Sequence, residues 1–443
     1  MVGSPPRLRK NAHDREILRL AVPAFGALVA EPLFLLSDTA IVGHLGTAQL
    51  GGLGVAGQAL STLVYLCVFL AYGTTAAVAR QVGAGDLRGA VRQGIDGMWL
   101  ALTIGAVLVV AGWPLAPWLV DLFGASASVT PYAETYLRVS LLGIPGMLVV
   151  LAGTGVLRGL QDTRTPLLVS IGGFALNLLL NVVFVLWFGW GIAGSAWGTV
   201  IAQTGSAAVY TVVVLRGARR HGASIRPDVR GLRASATAGV SLLLRTAALR
   251  IVLIVGTSIA ARMGDPEIAA YQIGFQVWTL LAFALDAIAI AGQAITGRHL
   301  GASDTAGARA GTRRMVEWGV ACGVVFGLAI LLVRPWLPGL FTSDDQVRDL
   351  LLTSLLIVAL LQPLAGVVFV LDGILIGAGD GAYLAWTTVI ATVAFLPAAF
   401  VAYRLEAGLV GLWLAIGLWM FTRFVTLSLR ARGDAWLVTG ATR

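Results

Sequence analysis

Long apolar segments separated by short polar stretches dominate this chain. A bilayer core requires about 20 apolar residues per helix, and segments of that length recur along the whole sequence. The twelve predicted spans cover residues 17–41, 50–79, 93–112, 132–152, 166–188, 192–215, 237–261, 267–296, 315–333, 349–375, 382–402 and 408–429. Membrane barrels instead use strands of about 10 residues that alternate apolar and polar positions. The pattern therefore predicts an all-α polytopic membrane protein with twelve transmembrane helices.

The composition excludes other broad classes. Hydrophobic residues make up 58% of the 443 residues and charged residues 12%, with a mean hydropathy of +0.86. Soluble domains carry about 25% charged residues, and disordered chains lack this apolar content. Cys67 and Cys322 both lie within apolar segments, which argues against a disulfide framework or a metal site. No phosphate-binding loop is present, so we expect no ATP-driven step and no cofactor.

The net charge of +9 does not indicate nucleic acid, because the basic residues lie between the apolar spans. They concentrate in the N-terminal segment, in alternate loops, in the centre of the chain and at the C-terminus. Such asymmetry marks the cytoplasmic side of a membrane protein. We therefore expect a multi-pass protein of the plasma or inner membrane with both termini in the cytoplasm, and no nucleic-acid partner.

The two halves of the sequence repeat each other at a constant offset of 218 residues. Identical residues recur at this spacing, for example Thr39 and Thr257, Arg80 and Arg298, Asp86 and Asp304, Pro145 and Pro363, Gly155 and Gly373, and Asp162 and Asp380. Each half contains six predicted spans, so both halves enter the membrane in the same direction. We predict an N-lobe at residues 1–215, a cytoplasmic linker at 216–236 and a C-lobe at 237–443. Parallel repeats of this kind are common in transporters.

Several motifs resemble the multidrug and toxic compound extrusion (MATE) family and its DinF-type branch. They are the run from Glu31 through Asp38 to Gly46, the segment Gly155–Asp162, the pair Asn177 and Asn181, and the Leu-Asp-Gly run at Asp372. The resemblance covers residues 15 to 430 or so. It implies two parallel six-helix lobes that form a V-shaped cleft. It also implies efflux of organic, often cationic, compounds driven by a proton or sodium gradient.

Four acidic residues fall inside predicted spans: Glu31, Asp38, Asp286 and Asp372. An ionisable side chain at the centre of a membrane helix costs at least about 2.5 kcal/mol, so such residues are functional candidates. Asp38 stands where the family has its N-lobe cation-site aspartate. Glu31 lies seven residues earlier, on the same face of the helix. We predict that both take part in ion coupling; the alternative for Asp38 is a solvated position at the helix end.

Asn177, Asn181 and Thr199 complete the predicted coupling site. The two asparagines are four residues apart and share one helix face, and the resemblance places all three near Asp38. The family often has aspartate at the second asparagine position. Asn181 cannot hold a charge, which favours a proton over sodium as the coupling ion. The alternative is that these residues only form hydrogen bonds between helices.

A second set of residues is predicted to line the substrate cleft. Asp286 and Asp372 are its charged members, and aromatic faces attract organic cations. The uncharged candidates are Gln58, Tyr65, Tyr72, Gln272, Gln276 and Trp278. Because the intramembrane charges identified in this way are acidic, we expect cationic or amphipathic cargo. The alternative is that one of the two carboxylates pairs with an arginine.

Together these features predict a monomeric secondary exporter of small molecules that exchanges its cargo for protons, or else sodium, by alternating access in the lipid bilayer. The first alternative is a flippase for lipid-linked precursors, which would use a basic central cavity. A membrane enzyme would need a catalytic cluster, and the sequence shows none. A channel would conduct without exchange.

Overall fold

The computed structural model describes residues 7–442, without the side chains of residues 7–12 and of Glu31. This part of the chain is helical and contains no β-strand. The first half forms α1 (Arg7–Gly43), α2 (Thr47–Leu66), α3 (Phe69–Gly83), α4 (Leu87–Leu122), α5 (Thr130–Leu141), α6 (Ile144–Gly159), α7 (Arg164–Asn181), a π-helix (Val182–Trp187) and α8 (Gly191–His221). The second half forms α9 (Val229–Met263), α10 (Asp265–Gly301), α11 (Thr305–Val333), α12 (Leu337–Phe341), α13 (Asp345–Gly377), α14 (Gly381–Arg404) and α15 (Gly408–Arg432).

The prediction of a twelve-span helical membrane protein is confirmed. Within the described residues, eleven helical segments are long and apolar enough to cross a bilayer. The helices α5 and α6, which meet at an angle of 50°, make a twelfth when this bent pair is counted as one span. The long predicted span at 50–79 is formed by α2 and α3 together, which are separated only by Cys67 and Val68.

The described chain forms two compact units. The N-unit is Gly26–Leu243, and the C-unit combines the residues up to Phe25 with Leu244–Ala441. Thus α1 and α9 each begin in one unit and continue in the other. The two boundaries, after residues 25 and 243, are 218 residues apart (243 minus 25). The helices therefore change units at equivalent positions of the sequence repeat.

Ion pairs explain why the start of α1 belongs to the C-unit. The Asp14 carboxylate accepts hydrogen bonds from Nε and Nη2 of Arg314, at 2.6 and 2.9 Å, and from the indole of Trp318 at 2.9 Å. Glu16 pairs with Arg298 at 2.8 Å. The predicted N-lobe, residues 1–215, includes this segment. The sequence gives no sign of the difference, because polar contacts between distant parts of a chain leave no periodic signal.

The predicted linker, residues 216–236, contains the end of α8 and the beginning of α9. Only residues 222–228 lie between these helices. Arg92 donates to the carbonyl groups of Ser224 and Arg226 at 2.8 and 2.6 Å, and the Trp99 indole donates to that of Ile225 at 3.0 Å. These bonds satisfy carbonyl groups of the connection and attach it to α4.

The duplication is also visible in the packing of each unit. In the N-unit, a Cβ atom on Gly105 of α4 would lie 2.5 Å from the Cα atom of Pro145 in α6. In the C-unit, a Cβ atom on Gly323 of α11 would lie 2.7 Å from the Cα atom of Pro363 in α13. Both pairs are repeat mates at the 218-residue offset. Glycine thus permits the same close helix approach twice, as small residues commonly do in membranes.

We expect Gly323→Ala to lower the stability of the protein by about 1–3 kcal/mol, because the added methyl group meets the backbone of α13 and forces the helices apart. Thermal unfolding of the purified protein in detergent would measure this effect. Gly172→Ala in α7 is the control, since a Cβ atom there meets nothing within 4 Å. Equal melting temperatures for the two variants would contradict the proposed close packing.

Candidate ion-coupling site

Asp38 lies at the centre of a buried polar network in the N-unit. Its side chain is on α1 and the residue is 3% exposed. Nδ2 of Asn181 donates to its Oδ1 atom at 2.8 Å, and the Thr199 hydroxyl donates to its Oδ2 atom at 3.4 Å. The amide of Asn177 in turn donates to the Thr199 hydroxyl at 3.1 Å. The structure thus places four of the predicted coupling residues in contact, from α1, α7 and α8.

The two asparagines present one polar face of α7, as their spacing predicts. Both residues are fully buried. Nδ2 of Asn181 lies 3.2 Å from the carbonyl oxygen and 3.1 Å from the side-chain oxygen of Asn177, in addition to its bond with Asp38. The Oδ1 atom of Asn181 has no hydrogen-bond partner among the described residues. The network therefore contains an unused acceptor close to the Asp38 carboxylate.

A local change in helix winding begins directly after Asn181, at the π-helix Val182–Trp187. Residues with a positive φ angle occur at equivalent positions of the two halves. Before the π-helix, the equivalent residues Gln161 and Gly379 are 218 positions apart. After it, the equivalent residues Gly189 and Glu406 are 217 positions apart. The first half therefore contains one extra residue in this stretch, and the wider π turn accommodates it. Such π turns are frequent at functional sites.

Sequence reasoning missed three polar neighbours of this network. The phenol group of Tyr136 in α5 faces the hydroxyl groups of Thr199, Ser140 and Ser195, and Thr199 in turn donates to Asp38. All of these side chains are buried. Tyr136 and Ser140 are four residues apart, and this polar pair inside an apolar span was the available signal.

The remaining predicted site residues differ in their exposure. The side chain of Glu31 lies outside the described part of the structure. The substrate candidates of the N-unit are exposed or half-buried, and they are Gln58, Tyr65 and Tyr72. In the C-unit, Gln272 and Gln276 are exposed, Asp286 is half-buried and Trp278 is buried, all on α10.

Asp372 occupies a second buried charged cluster, in the C-unit. The guanidinium of Arg245 on α9 contacts both of its carboxylate oxygens, and that of Arg423 on α15 lies 3.4 Å from Oδ1. All three residues are less than 9% exposed. This corrects the expectation that the intramembrane charges are mainly acidic. Counting basic residues only in the loops overlooked the two arginines inside apolar helices.

The Asp38 network has no counterpart in the other half of the repeat. At the 218-residue offset, Asp38 corresponds to Gly256, Asn177 to Phe395 and Asn181 to Ala399. The backbone is thus duplicated, whereas at these three pairs of positions only the N-unit has polar side chains. A feature of the scaffold would be expected in both halves, so this asymmetry favours a functional role.

Comparison with known families agrees with this architecture. The family model described as MatE matches residues 23–183 and 242–401, one segment in each half of the repeat. The chain is a member of the MATE family. The resemblance stated from the motifs is therefore confirmed, and the protein is an efflux transporter of the multidrug and toxin class rather than a protein of unrelated architecture.

Similar proteins span almost the whole chain. It is 31% identical over 427 residues to the chloroplastic Protein DETOXIFICATION 44 of Arabidopsis thaliana, an alignment that covers 93% of this chain and 80% of the relative. It is 29% identical over 427 residues to the DNA damage-inducible protein F of Escherichia coli (strain K12), covering 94% and 91%. Among solved structures, the bent form of the Vibrio cholerae MATE transporter VcmN has a TM-score of 0.88 at 20% identity, over 96% of this chain and 99% of that one.

Proposed function

We propose that this MATE transporter exports organic compounds in exchange for protons, and that Asp38 is the group that binds the proton. The observation that carries this proposal is the contrast between the two buried aspartates. Asp38 accepts hydrogen bonds from neutral side chains, and no ion pair among the described residues includes it. Asp372, in contrast, contacts two arginines. A carboxyl group buried without a counter-charge can become neutral by taking up a proton, whereas adjacent cations hold a carboxylate in its charged form.

The neighbours of Asp38 suit a group that changes its protonation state. An ionised Asp38 accepts hydrogen bonds from Asn181 and Thr199. A protonated Asp38 needs an acceptor, and the unpaired Oδ1 atom of Asn181 or the Thr199 oxygen can serve after a rotation of the amide or hydroxyl group. Both states can therefore be satisfied within the same network, with no movement of the helix backbone.

The same residues supply little that favours sodium over a proton. Hard cations are held by several oxygen ligands, and carboxylates are the strongest of these. Around Asp38 the additional oxygens belong to amides and hydroxyl groups, which carry no second negative charge. This supports the proton as the coupling ion.

The cargo that we propose is a cationic or amphipathic organic compound. Of the two carboxylates expected to attract a cation, Asp372 is engaged by Arg245 and Arg423. This favours the amphipathic class, in which apolar surface and a charged group are combined. We further propose that the transporter acts as a monomer in the plasma or inner membrane, with both termini in the cytoplasm.

Transport by reconstituted wild-type protein tests the ion choice. Proteoliposomes with an acidic lumen and no sodium would be given a fluorescent quaternary ammonium dye, which cannot follow a pH gradient without a carrier. We expect the dye to accumulate as protons leave, and to stop accumulating when a protonophore dissipates the gradient. A sodium gradient at equal pH is the control. Uptake that depends on sodium, or that ignores both gradients, would contradict proton coupling.

A further inference from the structure

The connection between α8 and α9 is the most basic segment of the N-unit. Residues 216–233 contain six arginines and one acidic residue, Asp228. The arginines, all of them exposed, are Arg216, Arg219, Arg220, Arg226, Arg230 and Arg233. None of their side chains belongs to an ion pair among the described residues. The connection therefore presents a concentrated positive charge that the described part of the fold does not neutralise.

Arginines at helix ends of the C-unit are arranged differently, because each of several has a carboxylate partner. The pairs are Arg298 with Glu16, Arg309 with Asp434, Arg314 with Asp14 and Arg430 with Asp380. Basic residues that mark the topology of a membrane protein can thus also be paired within the fold. The unpaired charge is a property of the α8–α9 connection and needs its own explanation.

Helix energetics explains only some of these charges. Arg219 and Arg220 lie in the last turn of α8, where a positive charge interacts favourably with the helix dipole. Arg230 lies in the first turn of α9, which contains no acidic residue. A positive charge at that end of a helix is unfavourable. The arginines of the connection therefore do not all serve the helices that carry them, which favours an anionic partner outside the fold.

Two tryptophans of α4 place the connection relative to the bilayer. Trp99 and Trp118 are 36% and 57% exposed, and the 19 residues between them (118 minus 99) correspond to about 28 Å of helix. This is close to the thickness of the hydrocarbon core, about 30 Å, and tryptophans are enriched at both of its boundaries. The Trp99 indole donates to the carbonyl group of Ile225 at 3.0 Å. The connection therefore lies at the level of the lipid headgroups on one side of the membrane.

The length of α8 leads to the same level. Its 31 residues span about 46 Å, close to the thickness of a bilayer with its headgroups, about 40–45 Å. The last turn of α8 therefore reaches the headgroups. In the connection itself, the apolar side chains of Ile225 and Val229 are 53% and 79% exposed. Exposed apolar residues among arginines are typical of segments that lie in a membrane interface.

We propose that the α8–α9 connection binds the phosphate groups of anionic phospholipids in the adjacent leaflet. Guanidinium groups form parallel hydrogen bonds with phosphate oxygens, and clusters of four to eight basic residues next to a membrane helix bind anionic lipids. Ile225 and Val229 would contact the upper parts of the acyl chains. Hydrogen bonds from Arg92 and Trp99 hold the backbone of the connection against α4, so binding orders little additional chain. This inference concerns the lipid partner and is independent of the coupling ion and the cargo.

Lipid binding to the delipidated full-length protein in a neutral detergent tests the proposal. The probes are phosphatidylglycerol and phosphatidylcholine with a dansyl group on one acyl chain, and energy transfer from tryptophan is the readout. We expect the wild type to bind phosphatidylglycerol more tightly, and the difference to shrink at high ionic strength because salt screens exposed charges. The double variant Arg219→Gln and Arg220→Gln should weaken phosphatidylglycerol binding by about 25-fold, at about 5-fold for each arginine near the membrane surface, and leave phosphatidylcholine binding unchanged.

The double variant Arg309→Gln and Arg313→Gln is the matched control. It removes the same number of positive charges from exposed positions of α11, where the two arginines pair with Asp434 and Glu317. It should therefore bind phosphatidylglycerol as the wild type does. A second control adds inorganic phosphate, compared with chloride at equal ionic strength, and the two salts should weaken lipid binding equally.

Three results would overturn the proposal. Equal affinity of the wild type for the two lipids would show that the connection does not select an anionic headgroup. Equal losses in the two double variants would show that net charge matters and the position of the arginines does not. Displacement of the lipid by phosphate beyond the effect of chloride would assign the arginines to a soluble phosphate compound. The wild-type preference and its dependence on salt decide the question even where a variant does not fold.

Discussion

Replacing Asp38 with asparagine is expected to reduce uptake driven by a pH gradient to the level of protein-free vesicles. The substitution preserves the size of the side chain and keeps an oxygen that can accept from Asn181 or Thr199, so the local packing should survive. It removes the only part of the group that can bind and release a proton. Dye accumulation in proteoliposomes with an acidic lumen would measure the loss. Asp38→Glu, which restores a carboxyl group, should recover part of the uptake.

Asp96→Asn is a matched control for this experiment. Asp96 is also an aspartate of the N-unit and is equally buried at 3% exposure. It pairs with Arg92 at 3.4 Å, within α4, and does not belong to the Asp38 network. Uptake by Asp96→Asn should therefore match that of the wild type. Loss of uptake in both variants would indicate a general effect of removing buried charges and would contradict a specific role of Asp38.

The helical architecture followed from the sequence because its physical cause is local. A helix that crosses a bilayer needs an unbroken run of apolar residues, and each span carries that signal by itself. The repeat offset was equally direct, and the structure extends it to the close contacts of Gly105 and Gly323 with their prolines. The grouping of the start of α1 with the C-unit had no such signal, since it depends on ion pairs such as that of Asp14 with Arg314.

The polar residues of the coupling site were predictable only in part. Asp38, Asn177 and Asn181 stand out as polar groups within apolar spans, and their spacing and family resemblance brought them together. Tyr136 is amphipathic and passes for an ordinary membrane aromatic residue, so its place in the network required the fold. The π-helix after Asn181 coincides with a change of the repeat offset from 218 to 217 residues. That change can be assigned to an extra residue in the helix only when the backbone conformation is known.

Asp372 stood out as a carboxylate within an apolar span, and its pairing with arginine was considered only as an alternative to cation binding. Its partners lie 127 residues before it, at Arg245, and on the last helix, at Arg423. The packing of three helices brings these groups together, and no periodicity along one helix reveals it. The consequence is chemical, because an isolated aspartate would attract a cation, whereas this cluster carries an excess of positive charge among its three members.

Replacing Asp372 with leucine is expected to destabilise the protein by about 3–5 kcal/mol, because it removes a buried carboxylate that two buried guanidiniums contact. Thermal unfolding in detergent would measure the change. Glu134→Leu is the control, since its ion pair with Arg138 is partly exposed and such pairs contribute at most about 1 kcal/mol.

The triple variant Arg245→Met, Asp372→Leu and Arg423→Met separates charge from packing in this result. Replacing all three members by apolar side chains of similar size removes both signs of charge together, and buried ionic clusters often tolerate this without loss of stability. The triple variant should therefore regain most of the stability that Asp372→Leu loses. A triple variant as unstable as the single one would show that leucine disturbs the packing of α13, and the cost could no longer be assigned to the arginines. Recovery of stability would mean that the fold does not require the charges of this cluster, and that the loss in Asp372→Leu comes from an unbalanced charge rather than from packing.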